Sequence, residues 1–199
     1  MADKRDLLSK NFKELFILII SILHGQIFFL ISEKATNLMG NFSIKELSLV
    51  ILFYSMFFRV FQTHILAALR YQLKWNVKVF EFILVFLTAL FEVFLVRSSM
   101  LKSAYPFHIL LIIFSLFGIF GYFLSYKQYS KVNNKYLLAF EKKLQTINIL
   151  ILLFILLLSV SSMLLQNFYF SIGVNFLTGI LLLINIYFSL SISKKTNYK

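Results

Sequence analysis

Cysteine is absent from this 199-residue sequence, proline occurs once, at Pro106, tryptophan once, at Trp75, and glycine six times. Without cysteine there is no disulfide, no thiolate metal site and no cysteine nucleophile, although a membrane protein can dispense with cysteine on either side. Acidic residues are scarce too, eight against twenty Lys and Arg. The only two aspartates, Asp3 and Asp6, lie near the N-terminus, which excludes an aspartyl dyad inside an apolar segment. A Gly-rich phosphate loop, a Gly-x-Ser-x-Gly elbow, a His-Glu-x-x-His pair and a metal-spaced cluster are all missing. These absences argue against an enzyme and predict neither a cofactor nor a metal site. With so little glycine and proline, the broken helices that bind substrate in many transporters are poorly supported.

What is present is apolar. Hydrophobic residues make up 60% of the chain and charged residues 14%, and the mean hydropathy is +0.84, far from the values of a soluble domain. About twenty apolar residues cross a bilayer core as a helix. Six such runs occur: Leu15 to Ser32, Leu47 to Leu69, Val77 to Val96, Phe107 to Leu124, Ile147 to Leu165 and Tyr169 to Leu190. The expected fold is all-α, a single bundle of six transmembrane helices over residues 1–199. The first run follows a basic segment as a signal peptide would, but no small-residue cleavage pattern follows it, so it reads as a retained helix.

A net charge of +12 raises the question of nucleic acid, and the distribution of the charge answers it. Fifteen Lys and Arg fall in the N-terminal segment, the second and fourth loops and the C-terminal tail, whereas the other three loops carry only Lys34, Lys45, Arg97 and Lys102. Basic residues beside apolar spans report orientation, so both termini are expected in the cytoplasm and no nucleic-acid partner is implied. A lysine-rich composition suits an AT-rich bacterial gene and hence the inner (plasma) membrane. Within the fourth loop, residues 125–146 place Lys127, Lys131, Lys135 and Lys142 on one helical face. That is an amphipathic basic segment suited to the anionic lipid surface or to a soluble cytoplasmic protein partner.

Several polar residues fall inside the spans. The second and third form an expected hairpin about a short basic turn, Arg70 to Asn76, with Arg59 at the centre of the second span and Glu81 and Glu92 on one face of the third. A cation at mid-membrane costs about 2.5 to 3.5 kcal/mol on insertion scales and calls for a partner. Either carboxylate lies within reach in depth. Ser55, Gln62 and Thr63 share the face of Arg59, while His64 points elsewhere. His24, in the first span, is either a helix-bridging imidazole or a proton relay. The three histidines are expected at different depths. On the fifth span Asn148, Ser159 and Ser162 share a face, and on the sixth Ser171, Asn175, Thr178, Asn185 and Ser189 do. Such stripes serve helix packing or line a narrow pore. Gly118 and Gly121 permit close helix approach in the fourth span.

These features lead to the expectation of a non-enzymatic membrane subunit that self-associates into a channel-like or scaffold assembly, a homo-oligomer conducting ions or serving a multi-component stress or antiphage (antiviral) defence system. The alternative is transport: a carrier of a small solute, with anions favoured by Arg59, or the substrate-binding membrane subunit of a transporter. A third is a membrane anchor for a cytoplasmic partner.

Overall fold

The computed structural model describes the backbone of residues 2–40, 43–70, 79–99, 105–129 and 135–196, and the side chains of residues 14–36, 43–64, 83–99, 105–124, 127 and 142–191. The described chain is all helical: α1 (Ala2–Gly40), α2 (Ile44–Arg70), α3 (Val79–Ser98), α4 (Tyr105–Tyr129), α5 (Lys135–Leu165) and α6 (Phe168–Thr196). Four of these contain stretches long and apolar enough to cross a membrane, Glu14–Thr36, Tyr105–Leu124, Lys142–Leu165 and Phe168–Ser191.

Local chemistry sets the helix ends. Ser43 caps α2, its Oγ accepting from the Glu46 amide at 3.1 Å, the usual use of a serine three residues before a glutamate. The α5–α6 connection is the two residues Gln166 and Asn167. Gln166 takes a left-handed conformation, φ 48°, and its amide donates to Ser162 O at 3.1 Å, closing α5 as a C-terminal residue of this conformation does. Asn167 then starts α6, its Oδ1 accepting from the amides of Tyr169 at 2.9 Å and Phe170 at 3.1 Å. Pro106 lies in the first turn of α4, where a missing amide hydrogen costs nothing.

Among the described residues the helices pack as a ring in the order α1, α2, α6, α5, α4, α3 and back to α1, with α2 and α3 barely touching. The interior is filled by an apolar cluster that includes Phe53, Met56, Leu111, Leu152, Ile155 and Leu182. Two close approaches tighten it. A Cβ on Gly179 of α6 would stand 3.1 Å from Ile51 Cγ2 and 3.4 Å from the Leu52 backbone of α2, and one on Gly118 of α4 would stand 2.7 Å from Leu152 Cδ1 of α5. Gly121 is less confined, with Leu84 Cδ2 at 3.5 Å.

Polarity is arranged inside out. On α5 the side chains of Leu150, Phe154, Leu157 and Leu164 are exposed while Asn148, Ser159 and Ser162 are buried, and on α6 Tyr187 and Phe188 are exposed while Asn175, Thr178, Asn185 and Ser189 are buried. A bundle folding in water hides its apolar face. This one presents it, as helices embedded in a membrane do.

The ring departs from the expected hairpin. α2 packs chiefly on α6 and α1, and α3 on α1 and α4, so α2 and α3, although consecutive in sequence, are not partners. The turn from Arg70 to Asn76 lies largely outside the described residues. Of the basic stretch 125–146, Lys127 belongs to the end of α4, Lys135 and Lys142 to α5, and Lys131 lies outside the described residues.

Candidate functional site

α2, α4 and α6 begin at the end of the bundle where α3 and α5 finish. Between these termini lies a cavity of about 640 Å³, within the range of small-molecule sites. Its polar lining is held by α4, α5 and α6 together. His108, one turn into α4, is buried, and its Nε2 meets the hydroxyls of Ser171 at 2.8 Å and Ser162 at 3.0 Å. Ser162 lies four residues before the Gln166–Asn167 break and Ser171 four after it, so the two-residue connection sets both hydroxyls at one depth. Across the cavity, Asn175 Nδ2 donates to Ser48 Oγ at 3.4 Å. Ser48 in turn donates its proton to Lys45 O at 2.7 Å, so the amide orientation of Asn175 follows from the network.

Two atoms of these side chains, His108 Nδ1 and Asn175 Oδ1, are buried and have no hydrogen-bond partner among the described residues. Buried polar atoms are nearly always satisfied, and an unsatisfied one costs about 1–3 kcal/mol. Lys45 is the only Lys, Arg, Asp or Glu among the lining residues, and Leu49, Phe107, Met163, Phe168 and Ile172 supply apolar walls. The neighbouring carboxylate of Glu46 is engaged elsewhere, by the buried Lys34 of α1 at 3.2 Å. Ser162 and Ser171 stand within reach of the histidine, and among the described residues no group orients His108 from its Nδ1 side.

A second polar knot lies about 20 Å along α2 from Lys45, fourteen residues at 1.5 Å each. Arg59, buried, donates through Nη1 to Thr63 Oγ1 at 2.8 Å and Gln62 Oε1 at 3.2 Å, and through Nη2 to Asn148 Oδ1 of α5 at 2.7 Å. Its guanidinium carbon stands 5.9 Å from the ring centroid of Tyr122 in α4, a cation–π distance. Gln62 Nε2 donates to Ile186 O of α6 at 3.2 Å, and the Thr63 and Tyr122 hydroxyls lie 3.3 Å apart. One arginine thus ties α2 to three other helices through neutral groups. The apolar cluster fills the bundle between this knot and the cavity.

Among the described residues Arg59 has no carboxylate partner. Glu92 is fully buried on α3, and neither of its oxygens has a hydrogen-bond partner among the described residues. The cause is the ring order, which places α3 against α1 and α4 instead of α2. Glu81 falls in the first turn of α3, and its side chain is outside the described ones. The histidines also differ from expectation. His24 of α1 and His64 of α2 meet edge to face, ring centroids 5.4 Å apart, because they are nearly equidistant from the Ser43 turn. His24 donates from Nδ1 to Ile20 O at 2.8 Å, and its Nε2 and His64 Nδ1 are buried without a partner. No group of three or more His, Cys, Asp or Glu is placed to hold a metal among the described residues.

The stripe of α6 is buried along its length. Asn175 reaches Ser48, Ser189 donates to Asn185 Oδ1 at 3.2 Å, and Thr178 Oγ1 has no partner. Lys127 and Lys142 are exposed, while the side chain of Lys135 is outside the described ones. Sequence reasoning passed over His108 and Lys45 as site residues. The signal available for His108 was the matched depth of Ser162 and Ser171 on either side of a short turn. Comparison with models of known protein families, with curated proteins and with solved structures finds no match for this chain.

Proposed function

We propose that this chain is a non-enzymatic, six-span protein of a bacterial inner membrane that binds a small polar solute, as a carrier or as the substrate-binding membrane subunit of a transporter. Both termini are cytoplasmic in this reading, because fifteen of the basic residues outside the spans lie on that side and four on the other. The cavity then opens on the outer side. The observation that carries the reading is this cavity of about 640 Å³, lined by the hydrogen-bonded His108, Ser162 and Ser171 and by Lys45 and Asn175. The alternative, a channel-like or scaffold oligomer, needs polar faces turned toward other copies. Arg59 and the α6 stripe are instead spent within one chain.

The test combines mass with ligand response. The purified protein, with its detergent contribution subtracted, is weighed by native mass spectrometry and then screened for thermal stabilisation against small polar solutes. A solute present at a hundred times its Kd stabilises by about 2.7 kcal/mol, which is easily seen. A monomer stabilised by a solute, with the effect lost in His108→Ala, supports the proposal. A discrete oligomer that no solute stabilises overturns it and favours the channel or scaffold.

A further inference from the structure

Resting on the solute-binding reading, we infer that the ligand of this cavity is a small organic anion, a carboxylate on an apolar body, whose charged end is held by Lys45. Three features of the lining point the same way. Among the described residues its one ionised side chain of fixed sign is a cation, and no carboxylate lines it. The nearest carboxylate in sequence, Glu46, is held by Lys34 at 3.2 Å, so Lys45 has no acidic partner among the described residues. Lys45 also stands in the first turn of α2, where the helix dipole disfavours a cation and favours an anion. The starts of α4 and α6, at Tyr105 and Phe168, line the same space. The ends of α2 and α6 are capped by Ser43 and Asn167, so the charge that favours an anion here is chiefly the Lys45 ammonium.

The rest of the lining describes the remainder of the ligand. Ser48, the partner of Asn175, is one helical turn beyond Lys45, about 4.5 Å along α2. A carboxylate on Lys45 therefore leaves the next part of the ligand against the side chains of Asn175 and His108. Phe107, Phe168 and Ile172 enclose the apolar body between them. A metal cation is disfavoured by the same lining, which offers it a lysine and no carboxylate. An anionic phospholipid shares the oxyanion chemistry, but its two acyl chains suit the lipid-facing side of the helices better than a cavity closed by His108 and Asn175.

The experiment uses matched triplets on the full chain in nanodiscs of zwitterionic lipid: indole-3-acetate, indole-3-acetamide and tryptamine, beside aliphatic acids with their own amides and amines. Acids are expected to bind at least tenfold more tightly than their amides by thermal shift and calorimetry. Lys45→Gln, a partly exposed position, is expected to erase that difference. Lys45→Glu is expected to shift preference toward the amines, and Asn175→Leu to weaken acids and amides alike. Amides or amines that bind as tightly as the acids overturn the anion inference and leave the solute-binding reading standing. If no compound in a wide panel binds, both fall. If phosphatidylglycerol alone stabilises the protein, in a Lys45-dependent way, the site is a lipid seat and the small-anion inference is overturned.

Discussion

Replacing Asn148 with leucine withdraws the one acceptor that Arg59 receives from α5, and the consequence depends on whether the arginine is still there. The bond is 2.7 Å long between two buried side chains. Hydrogen bonds to charged groups contribute about 1.5–3 kcal/mol, while interhelical bonds measured in a membrane protein average about 0.6 and reach about 1.7 kcal/mol. Arg59 retains Thr63 and Gln62 on its own helix, which compensates in part. A coupling of about 1–1.5 kcal/mol therefore follows for the pair. In the native background Asn148→Leu should cost about 2 kcal/mol, because a buried guanidinium donor is left unmet. With Arg59→Met already present, the same change should cost about 0.5–1 kcal/mol, since no charge then depends on it. Arg59→Met alone should insert into the membrane at least as well as the native chain, because removing a central cation eases insertion. The four proteins are compared by reversible unfolding in mixed micelles of rising dodecyl sulfate fraction, followed by far-ultraviolet circular dichroism. An Asn148→Leu cost that is the same in both backgrounds would refute the reasoning and place the partner of Arg59 elsewhere.

Glu92→Met is expected to stabilise the protein by about 1–3 kcal/mol, the cost of a buried polar group without a partner, because both carboxylate oxygens are unsatisfied and the volume is nearly kept. The same unfolding assay checks this, and a loss of stability would mean that Glu92 has a partner of its own. Gly179→Ala should cost less than about 1 kcal/mol, since Ile51 Cγ2 at 3.1 Å yields by a few tenths of an ångström, whereas Gly179→Leu should cost about 1–3 kcal/mol as overpacking does. Equal effects of the two substitutions would show that α2 and α6 are not in close contact there.

Helix length, apolar runs, basic asymmetry and polar stripes are local properties of the chain, and the sequence by itself determined them. Residues that recur every three or four positions share a face whatever that face meets, which is why Asn175, Thr178, Asn185 and Ser189 could be grouped before their burial was known. The six helices enclose all six apolar runs marked from composition, except that the run beginning at Val77 precedes the described start of α3.

Which face meets which was decided only by the tertiary structure. The expected pairing of Arg59 with Glu81 or Glu92 assumed that α2 and α3, joined by a short turn, pack together, and the ring instead sets α2 on α6. In an apolar solvent the hydrophobic effect does not choose partners, so the choice falls to shape and to interhelical hydrogen bonds summed over whole helices. Gly179 permits the close approach to Leu52, and Asn148, eighty-nine residues from Arg59, supplies the acceptor. The cavity is a product of the same choice. Lys45, His108, Ser162 and the pair Ser171 and Asn175 come from four helices with no spacing in sequence between helices, because what joins them is the meeting of helix ends that the ring order brings about.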